Sequence, residues 1–148
     1  MFVSRSEMVR GATAGLVGTI AYTMLSAQLK RRSGQRESMQ PLTAARAVVN
    51  SQVSNPDGLR KFALNALLHW GYGAWGGAIR VVVERRGLRG LPAEATHLAA
   101  FWLPWRLVLT SAGARTGARA LAVDLTKHVV YVLVTGVAYR ALGDRSRR

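Results

Sequence analysis

A nearly uncharged stretch from residue 62 to residue 83 constrains the fold more than any other feature of the sequence. Its only charged side chain is Arg80, and its length suits the roughly 20 residues that a helix needs to cross the hydrocarbon core of a bilayer. Gly73 and Gly77 leave one helix face open to close contact. The stretch also carries His69, an ionisable residue that costs free energy inside a membrane. We therefore expect a transmembrane helix with a packing face and a polar site.

Three further apolar runs extend this pattern to an all-α, integral membrane four-helix bundle. With 148 residues, 49% of them apolar, the chain is expected to form a single helical membrane domain, residues 1–148. The first run ends in a basic block instead of a small-residue cleavage site, so we interpret it as a retained helix and not as a signal peptide. The candidate spans are residues 11–29, 62–83, 95–114 and 120–142, followed by a basic tail at 143–148.

Two prolines modify the pattern. Pro104 interrupts the third run, and because proline removes a backbone hydrogen bond we expect a kink in that helix. Pro41 opens a segment of the first loop in which apolar residues recur at helical spacing. That spacing favours a short amphipathic helix on the membrane surface, and an ordinary ordered loop is the alternative.

The charge of the chain is compatible with two classes of protein. Lys and Arg number 21 against 7 Asp and Glu, a net charge of +14, and a soluble helical bundle this basic would be expected to bind nucleic acid. The basic residues lie in short blocks between apolar runs, however, as in loops that flank membrane spans. We therefore expect the lipid bilayer and its anionic headgroups as partners, and no nucleic acid. Cysteine is absent, which excludes a disulfide framework and a thiolate metal site.

Glycines in the first two runs predict where helices meet. In lipid, helices associate through close van der Waals approach, so small residues four apart mark a contact face. A generic small-residue helix without a specific partner is the alternative for the first run. The second run also contains a GxGxxG string, but no strand precedes it and no acidic ribose ligand follows, so it does not indicate a dinucleotide site. The glycines assigned to helix packing are Gly11, Gly15, Gly18, Gly73 and Gly77.

Ionisable residues within the apolar runs predict one buried polar cluster. Helices two and four run parallel in this arrangement, and a rise of roughly 1.5 Å per residue places His69 and His128 at nearly the same depth. Arg106 falls in the same half of the bilayer. Asp124 lies one turn before His128 on the same helix face. The predicted cluster consists of His69, Arg106, Asp124, Lys127 and His128.

Three interpretations of this cluster stay open. One is a structural network in which the charges neutralise one another and fix helix packing. The second is a proton or ion path, since carboxylate–histidine pairs relay protons. The third, less favoured, is bis-histidine haem ligation by His69 and His128. No other cofactor, no metal ligand and no catalytic residue is predicted.

A second polar group is expected at the opposite membrane surface. Arg80 and Glu84 are one helical turn apart near the end of the second run, and His97 lies near the start of the third. We interpret all three as interfacial residues whose polar ends extend toward the headgroups.

Three motifs carry a resemblance to a known family. They are His69-Trp-Gly-Tyr-Gly-Ala-Trp-Gly, then His97 with Trp102 and Gly113, and then Asp124-Leu-Thr-Lys-His128-Val-Val-Tyr131. Together they resemble the YagU-like family of small bacterial inner-membrane proteins over residues 64–142. The chain departs from the family pattern in being more polar at Pro104-Trp105-Arg106, and in having Lys127 where a further histidine is expected.

The resemblance implies a location in the bacterial inner membrane and a helical architecture, and it implies no reaction. We expect a non-enzymatic membrane protein that is structural or accessory to a membrane assembly, acting through self-association or another membrane protein. The alternative is a protein that handles protons or small solutes through the buried cluster. Basic residues are divided almost evenly between the two sides of the four spans, which leaves the orientation open.

Overall fold

The computed structural model describes residues 3–33, 58–111 and 117–145 of the chain. These residues form four helices, α1 (Arg5–Ser33), α2 (Gly58–Arg85), α3 (Gly90–Ser111) and α4 (Ala118–Arg145). The described ranges contain no strand, so the all-α prediction is confirmed. Each apolar run lies on one helix, and residues 112–114 at the expected end of the third run lie outside the described residues. The short helix expected after Pro41 lies outside the described residues.

Local hydrogen bonds define two of the helix ends. At the start of α1, the Ser4 hydroxyl accepts from the Glu7 amide at 3.2 Å and the Glu7 carboxylate accepts from the Ser4 amide at 3.0 Å. This reciprocal arrangement is a capping box. After α2, the Gly87 amide donates to the Glu84 carbonyl at 3.0 Å, and Gly87 takes a φ of 78° that side-chain-bearing residues rarely adopt. The chain therefore turns sharply between α2 and α3.

Helices α1 and α3 occupy opposite corners of the bundle. α1 packs against α2 and α4, and α3 packs against the same two helices. Among the described residues, α1 and α3 do not pack against each other, while α2 and α4 touch across the centre. α2 and α3 run antiparallel, since Tyr72 contacts Phe101 and Arg80 contacts Glu94.

Glycines bring the backbones of α1 and α2 into direct contact. A Cβ atom added to Gly77 would overlap the carbonyl oxygen of Gly11, and one added to Gly15 would overlap the carbonyl oxygen of Gly73. A Cβ on Gly73 would also overlap the side chain of Thr19. Four of the five glycines assigned to helix packing therefore lie in the contact between α1 and α2.

Gly18, the remaining predicted packing glycine, contacts α4 instead of α2. A Cβ atom on Gly18 would overlap the hydroxyl of Thr135 and approach the backbone carbonyl of Tyr131 at 2.9 Å. The small residues of α1 therefore face two neighbours, α2 on one side and α4 on the other.

Bulky apolar side chains cover the outside of the bundle, while polar ones lie inside. Met24 on α1 is 63% exposed, Leu107 on α3 is 70% exposed and Val137 on α4 is 61% exposed. Arg80 and His97 are 0% exposed. The other buried polar residues are Thr19, Asp124, His128 and Thr135.

Within the described ranges, one helix is long and apolar enough to cross a membrane by length and composition, the Ala118–Gly143 part of α4. Composition therefore supports a span for the fourth predicted run and not for the other three. Those helices are 29, 28 and 22 residues long, but glycines and polar residues dilute their apolar side chains. A core helix of a soluble protein meets the same test, so the distinction depends on which helix faces are exposed.

Pro104 lies inside α3, and the helix continues beyond it to Ser111. Proline cannot donate to the carbonyl of Ala100, and its ring crowds the turn that holds the Phe101 carbonyl. The hydroxyl of Tyr72 donates to that Phe101 carbonyl at 2.6 Å. A side chain of α2 thus supplies a hydrogen bond at the point where proline weakens α3.

Candidate functional site

The inward face of α4 carries a polar stripe. Asp124, His128, Tyr131 and Thr135 recur at helical spacing, and each is at most 6% exposed. Two polar groups form around this stripe, one toward each end of the bundle. The Asp124 group comprises Tyr22, Thr23, His69, Trp102, Arg106, Asp124, Lys127 and His128, and the Arg80 group comprises Arg80, Glu84, Glu94, His97 and Arg140.

Asp124 is the buried carboxylate of the first group. The indole Nε1 of Trp102 donates to its Oδ2 at 2.9 Å, which ties α3 to α4. Its other oxygen, Oδ1, is buried and finds no hydrogen-bond partner among the described residues. His128 Nδ1 lies 3.6 Å from Oδ1 and donates instead to the backbone carbonyl of Asp124 at 2.8 Å. The expected contact between the two residues is present, but the backbone carbonyl is the acceptor because it points along the helix toward the next turn.

His69 of α2 joins this group through α1. Its Nε2 lies 3.1 Å from the hydroxyl of Thr23. The Tyr22 ring contacts the His69 and His128 rings, with centroids 5.6 and 5.2 Å apart. The Nζ atom of Lys127 lies 5.2 Å from the centre of the same Tyr22 ring.

Arg106 of α3 completes the predicted cluster. Its guanidinium lies close enough to His128 for an electrostatic interaction, as do the Lys127 ammonium and the Asp124 carboxylate. His69 lies close enough to His128 for the same kind of interaction. The structure therefore brings all five predicted residues to one end of the bundle.

Three members of the Asp124 group were not predicted. Trp102 occupies the middle of an apolar run, where an interfacial tryptophan is not expected, and this position is the signal for an internal role. Tyr22 and Thr23 are the polar residues of the first run at the depth of His69.

The geometry argues against haem between the two histidines. Bis-histidine ligation requires a porphyrin between the imidazoles, whereas the Tyr22 ring contacts both of them. Haem does not fit here without displacing that ring. In the part of the chain that the structure describes, no group of three or more His, Asp or Glu residues is placed to hold a metal ion.

Arg80 is the centre of the second group. Its guanidinium donates to Glu94 at 2.6 and 3.0 Å and to Glu84 at 2.7 and 3.1 Å. Arg140 of α4 lies 3.3 Å from Glu94. Two carboxylates and two guanidiniums thus join α2, α3 and α4 in a network whose formal charges cancel. Glu94 and Arg140 were not predicted as members of this group.

The expectation that Arg80 and His97 extend toward the membrane surface is wrong, because both are fully buried. Partners inside the bundle hold them there, the carboxylates for Arg80 and the Gly76 carbonyl for His97. His97 Nε2 lies 2.9 Å from that carbonyl and must donate to it, since a carbonyl only accepts. Its Nδ1 is buried and has no hydrogen-bond partner in the part of the chain that the structure describes. Glu84, the third residue of the predicted interfacial group, has a side chain that is 17% exposed.

A stack of three aromatic rings lies between the two groups. Phe101 of α3 is stacked on Tyr72 of α2 and on Tyr131 of α4, with ring centroids 4.4 and 4.5 Å apart. The Phe101 ring also contacts His128, at 5.9 Å, and His97, at 6.2 Å. One apolar ring therefore contacts the innermost histidine of each polar group.

Outside the apolar runs, an ion pair joins the start of α1 to the end of α2. Arg85 donates to both carboxylate oxygens of Glu7, at 2.8 and 3.1 Å. These hydrogen bonds, together with those from Ser4, lower the pKa of Glu7 from its ordinary value of 4.5 to about 2.

These groups can bind and release protons and can hold helices together by charge-assisted hydrogen bonds. No protein-family model matches the chain, and neither a curated protein nor a solved structure matches it. The resemblance to the YagU-like family therefore stays a prediction from the sequence.

Proposed function

We propose that this chain is a helical bundle embedded in a bacterial inner membrane, where it is a structural or accessory component of a membrane assembly and not an enzyme. One observation carries the proposal: the helices present bulky apolar side chains outward and keep ionisable ones inside. Leu107 and Val137 are mostly exposed, whereas Arg80 and His97 are fully buried. A soluble bundle gains its stability from the opposite distribution.

The most apolar stretch of α4 adds to this argument. Only 33% of it is buried, whereas the core helix of a soluble protein would be mostly buried. Direct backbone contact between α1 and α2 through glycines is also how helices associate in lipid, where apolar burial gives little driving force.

A structural role is supported by how the interior charges are used. Arg80 joins α2 to α3 through Glu94, Arg140 of α4 contacts the same carboxylate, and Trp102 joins α3 to Asp124. Such contacts fix the relative positions of helices. The resemblance to the YagU-like family points to the same location and architecture.

Site-directed labelling tests the embedding directly, because the chain contains no cysteine. Single substitutions Leu107→Cys and Val137→Cys, labelled with an environment-sensitive dye in lipid vesicles, should give blue-shifted emission that resists a water-soluble quencher. Arg89→Cys, in the exposed turn between α2 and α3, is the matched control and should be quenched. Equal quenching at all three positions, or release of the protein by alkaline carbonate, would contradict the proposal. Release together with salt-sensitive DNA binding would favour the soluble nucleic-acid-binding alternative.

The accessory role has its own test. Purification from native membranes in mild detergent, followed by mass spectrometry, should recover a second membrane protein or further copies of this chain in fixed ratio. Recovery of the monomer alone, after chemical crosslinking in intact membranes, would contradict the role in an assembly.

Proton handling is a second candidate, and the unpartnered Oδ1 atom of Asp124 favours it. A buried carboxylate oxygen 3.6 Å from a histidine nitrogen is a suitable proton acceptor. Asp124→Asn keeps an oxygen for the Trp102 indole and removes the titratable group. Proton flux into vesicles should fall to the background rate in this variant, with helical content unchanged. A wild-type rate would exclude this candidate.

A further inference from the structure

Each of the two polar groups contains one buried acceptor atom that receives no hydrogen bond from the described ranges of the chain. In the Asp124 group this atom is Oδ1 of Asp124, and in the Arg80 group it is Nδ1 of His97. Both residues are more than nine-tenths buried. Desolvated acceptors without partners cost free energy, so their presence on both sides of one ring requires an explanation.

Phe101 lies where a connection between the two groups would pass. Its ring contacts His128 of the first group and His97 of the second, and it is 3% exposed. Tyr131, whose hydroxyl donates to the Gly73 carbonyl at 2.6 Å, stacks on one face of the ring. Tyr72 stacks on Phe101 as well, from α2. An apolar ring between ionisable side chains excludes water, and without a chain of water or polar atoms a proton does not pass.

We propose that the Asp124 and Arg80 groups are the two halves of a proton path through the bundle, and that the Phe101 ring is the barrier that closes it. The proposal rests on the membrane embedding proposed above. It adds a ligand, the proton, to the Arg80 group, for which the proposed function gives only a structural role.

The transfer involves only the making and breaking of O–H and N–H bonds. A proton that enters through the Glu94 carboxylate binds Nδ1 of His97, the acceptor nitrogen of that ring. When the Phe101 ring moves aside, the proton crosses to Nε2 of His128, and His128 releases its Nδ1 proton to Asp124 Oδ1, 3.6 Å away. Asp124 then passes a proton to the Lys127 end of the bundle. No oxidant or reductant is needed, and a counter-ion balances the charge.

The surroundings of the first half favour protons over metal cations. Lys127 of α4 and Arg106 of α3 place positive charges around His128, and His69 of α2 lies within range as well. Tyr22 of α1 closes the remaining side. A hydrated metal cation would be repelled by these groups, whereas a proton transferred from atom to atom needs no space for a hydration shell.

The test uses the full chain in lipid vesicles that contain a pH-sensitive dye, with a potassium gradient and valinomycin to balance charge. Phe101→Ala removes the ring between polar groups, and water can fill a cavity with several polar partners, so the proton flux should rise by on the order of tenfold over the wild type. Leu109→Ala is the matched control, since Leu109 is also 3% exposed on α3 but lies roughly 12 Å further along the helix than the Phe101 ring stack. Its flux should stay at the wild-type level.

A second substitution separates a proton path from a general leak. Adding Asp124→Asn to Phe101→Ala should lower the flux to the background rate expected for Asp124→Asn alone. Persistent flux in the double variant, or equal flux in Phe101→Ala and Leu109→Ala, would overturn the proposal. If Phe101→Ala does not fold, Phe101→Val decides the question, with a smaller increase expected and no increase contradicting it.

The same experiment keeps this proposal distinct from the one on which it rests. Vesicles are washed with alkaline carbonate before the flux measurement. Loss of the wild-type protein from the vesicles would contradict the membrane embedding. Retention of every variant without any increase for Phe101→Ala would contradict the barrier alone.

Discussion

Helices α1 and α3 occupy opposite corners of the bundle and are held there by different chemistry. α1 meets α2 through glycine backbones, with Gly11 against Gly77 and Gly15 against Gly73. α3 meets its neighbours through side chains, with Glu94 on Arg80 and Trp102 on Asp124. In a bilayer, helices associate by close packing or by polar contacts, and this molecule places most of each kind on a separate side. The Arg80–Glu94 pair and the Trp102–Asp124 hydrogen bond both end on α3, so α3 is the helix whose position these contacts can influence.

The largest expected change in the free energy of unfolding comes from the polar contacts of α3. Arg80→Met leaves the carboxylates of Glu84 and Glu94 inside the bundle without their main partner, which costs about 3–5 kcal/mol when one member of a buried ion pair is removed. We expect the free energy of unfolding to fall by that amount. Titration of the detergent-solubilised protein with a denaturing detergent, followed by circular dichroism, measures it.

Arg89→Met is the control for this substitution, because Arg89 lies exposed in the turn after α2. Its effect should stay within about 0.5 kcal/mol. A loss below about 1 kcal/mol for Arg80→Met would mean that the charges do not hold α3 in place.

Substitutions in the glycine contact between α1 and α2 should change the free energy of unfolding by a smaller amount. Gly77→Ala forces a Cβ atom into the backbone of α1, and overpacking of this kind costs about 1–3 kcal/mol. Gly71→Ala, on the same helix, meets no atom within 4 Å and should stabilise the protein by about 0.5–1 kcal/mol through helix propensity. The same denaturation assay measures both. Equal effects of the two substitutions would show that α1 and α2 do not touch through this face.

Removal of the Tyr72 hydroxyl, which binds the turn around Pro104, should give the next largest loss of stability. Tyr72→Phe keeps the ring stacked on Phe101 and removes the hydrogen bond to its carbonyl, with an expected cost of about 0.5–1.5 kcal/mol. Pro104→Ala restores the amide that donates to the neighbouring Ala100 carbonyl and so strengthens the same turn, which should reduce the Tyr72→Phe penalty. A double-mutant cycle measures the coupling. Strict additivity would mean that Tyr72 does not compensate for the proline.

The glycine contact and the polar cluster also differ in how completely the sequence predicts their residues. The glycine contact was predicted residue by residue, because small residues at fixed spacing mark a face whatever the neighbour is. The members of the polar cluster were predicted because helical rise and direction set their depth. Depth does not give the rotation of each helix about its axis, and so Tyr22, Thr23 and Trp102 were missed.

Arg80 shows the limit of depth arguments most clearly. A cation near the end of an apolar run either extends toward the headgroups or turns inward, and the choice depends on a partner across the turn. Glu94 is that partner, and it is as far from Gly87 along the chain as Arg80 is. This symmetry is visible in the sequence once a tight turn at Gly87 is assumed. Phe101 carries no comparable signal, since its importance comes only from the rings that surround it.

The smallest expected effect lies at the end of α1, where the glycine side of the bundle also has a polar contact. The pKa of Glu7 is lowered to about 2 by Arg85 and Ser4, so the carboxylate stabilises the fold above its ordinary pKa of 4.5, and this contribution is lost as the pH falls toward 2. The pair is partly exposed to solvent, which keeps the effect well below those of the buried contacts. Melting temperatures of the wild type and of Glu7→Gln should therefore differ at pH 6 and converge between pH 4.5 and pH 2. Other carboxylates titrate in both proteins, so the difference between the two curves isolates Glu7. Curves that stay parallel over this range would mean that α1 is held by its glycine contacts alone.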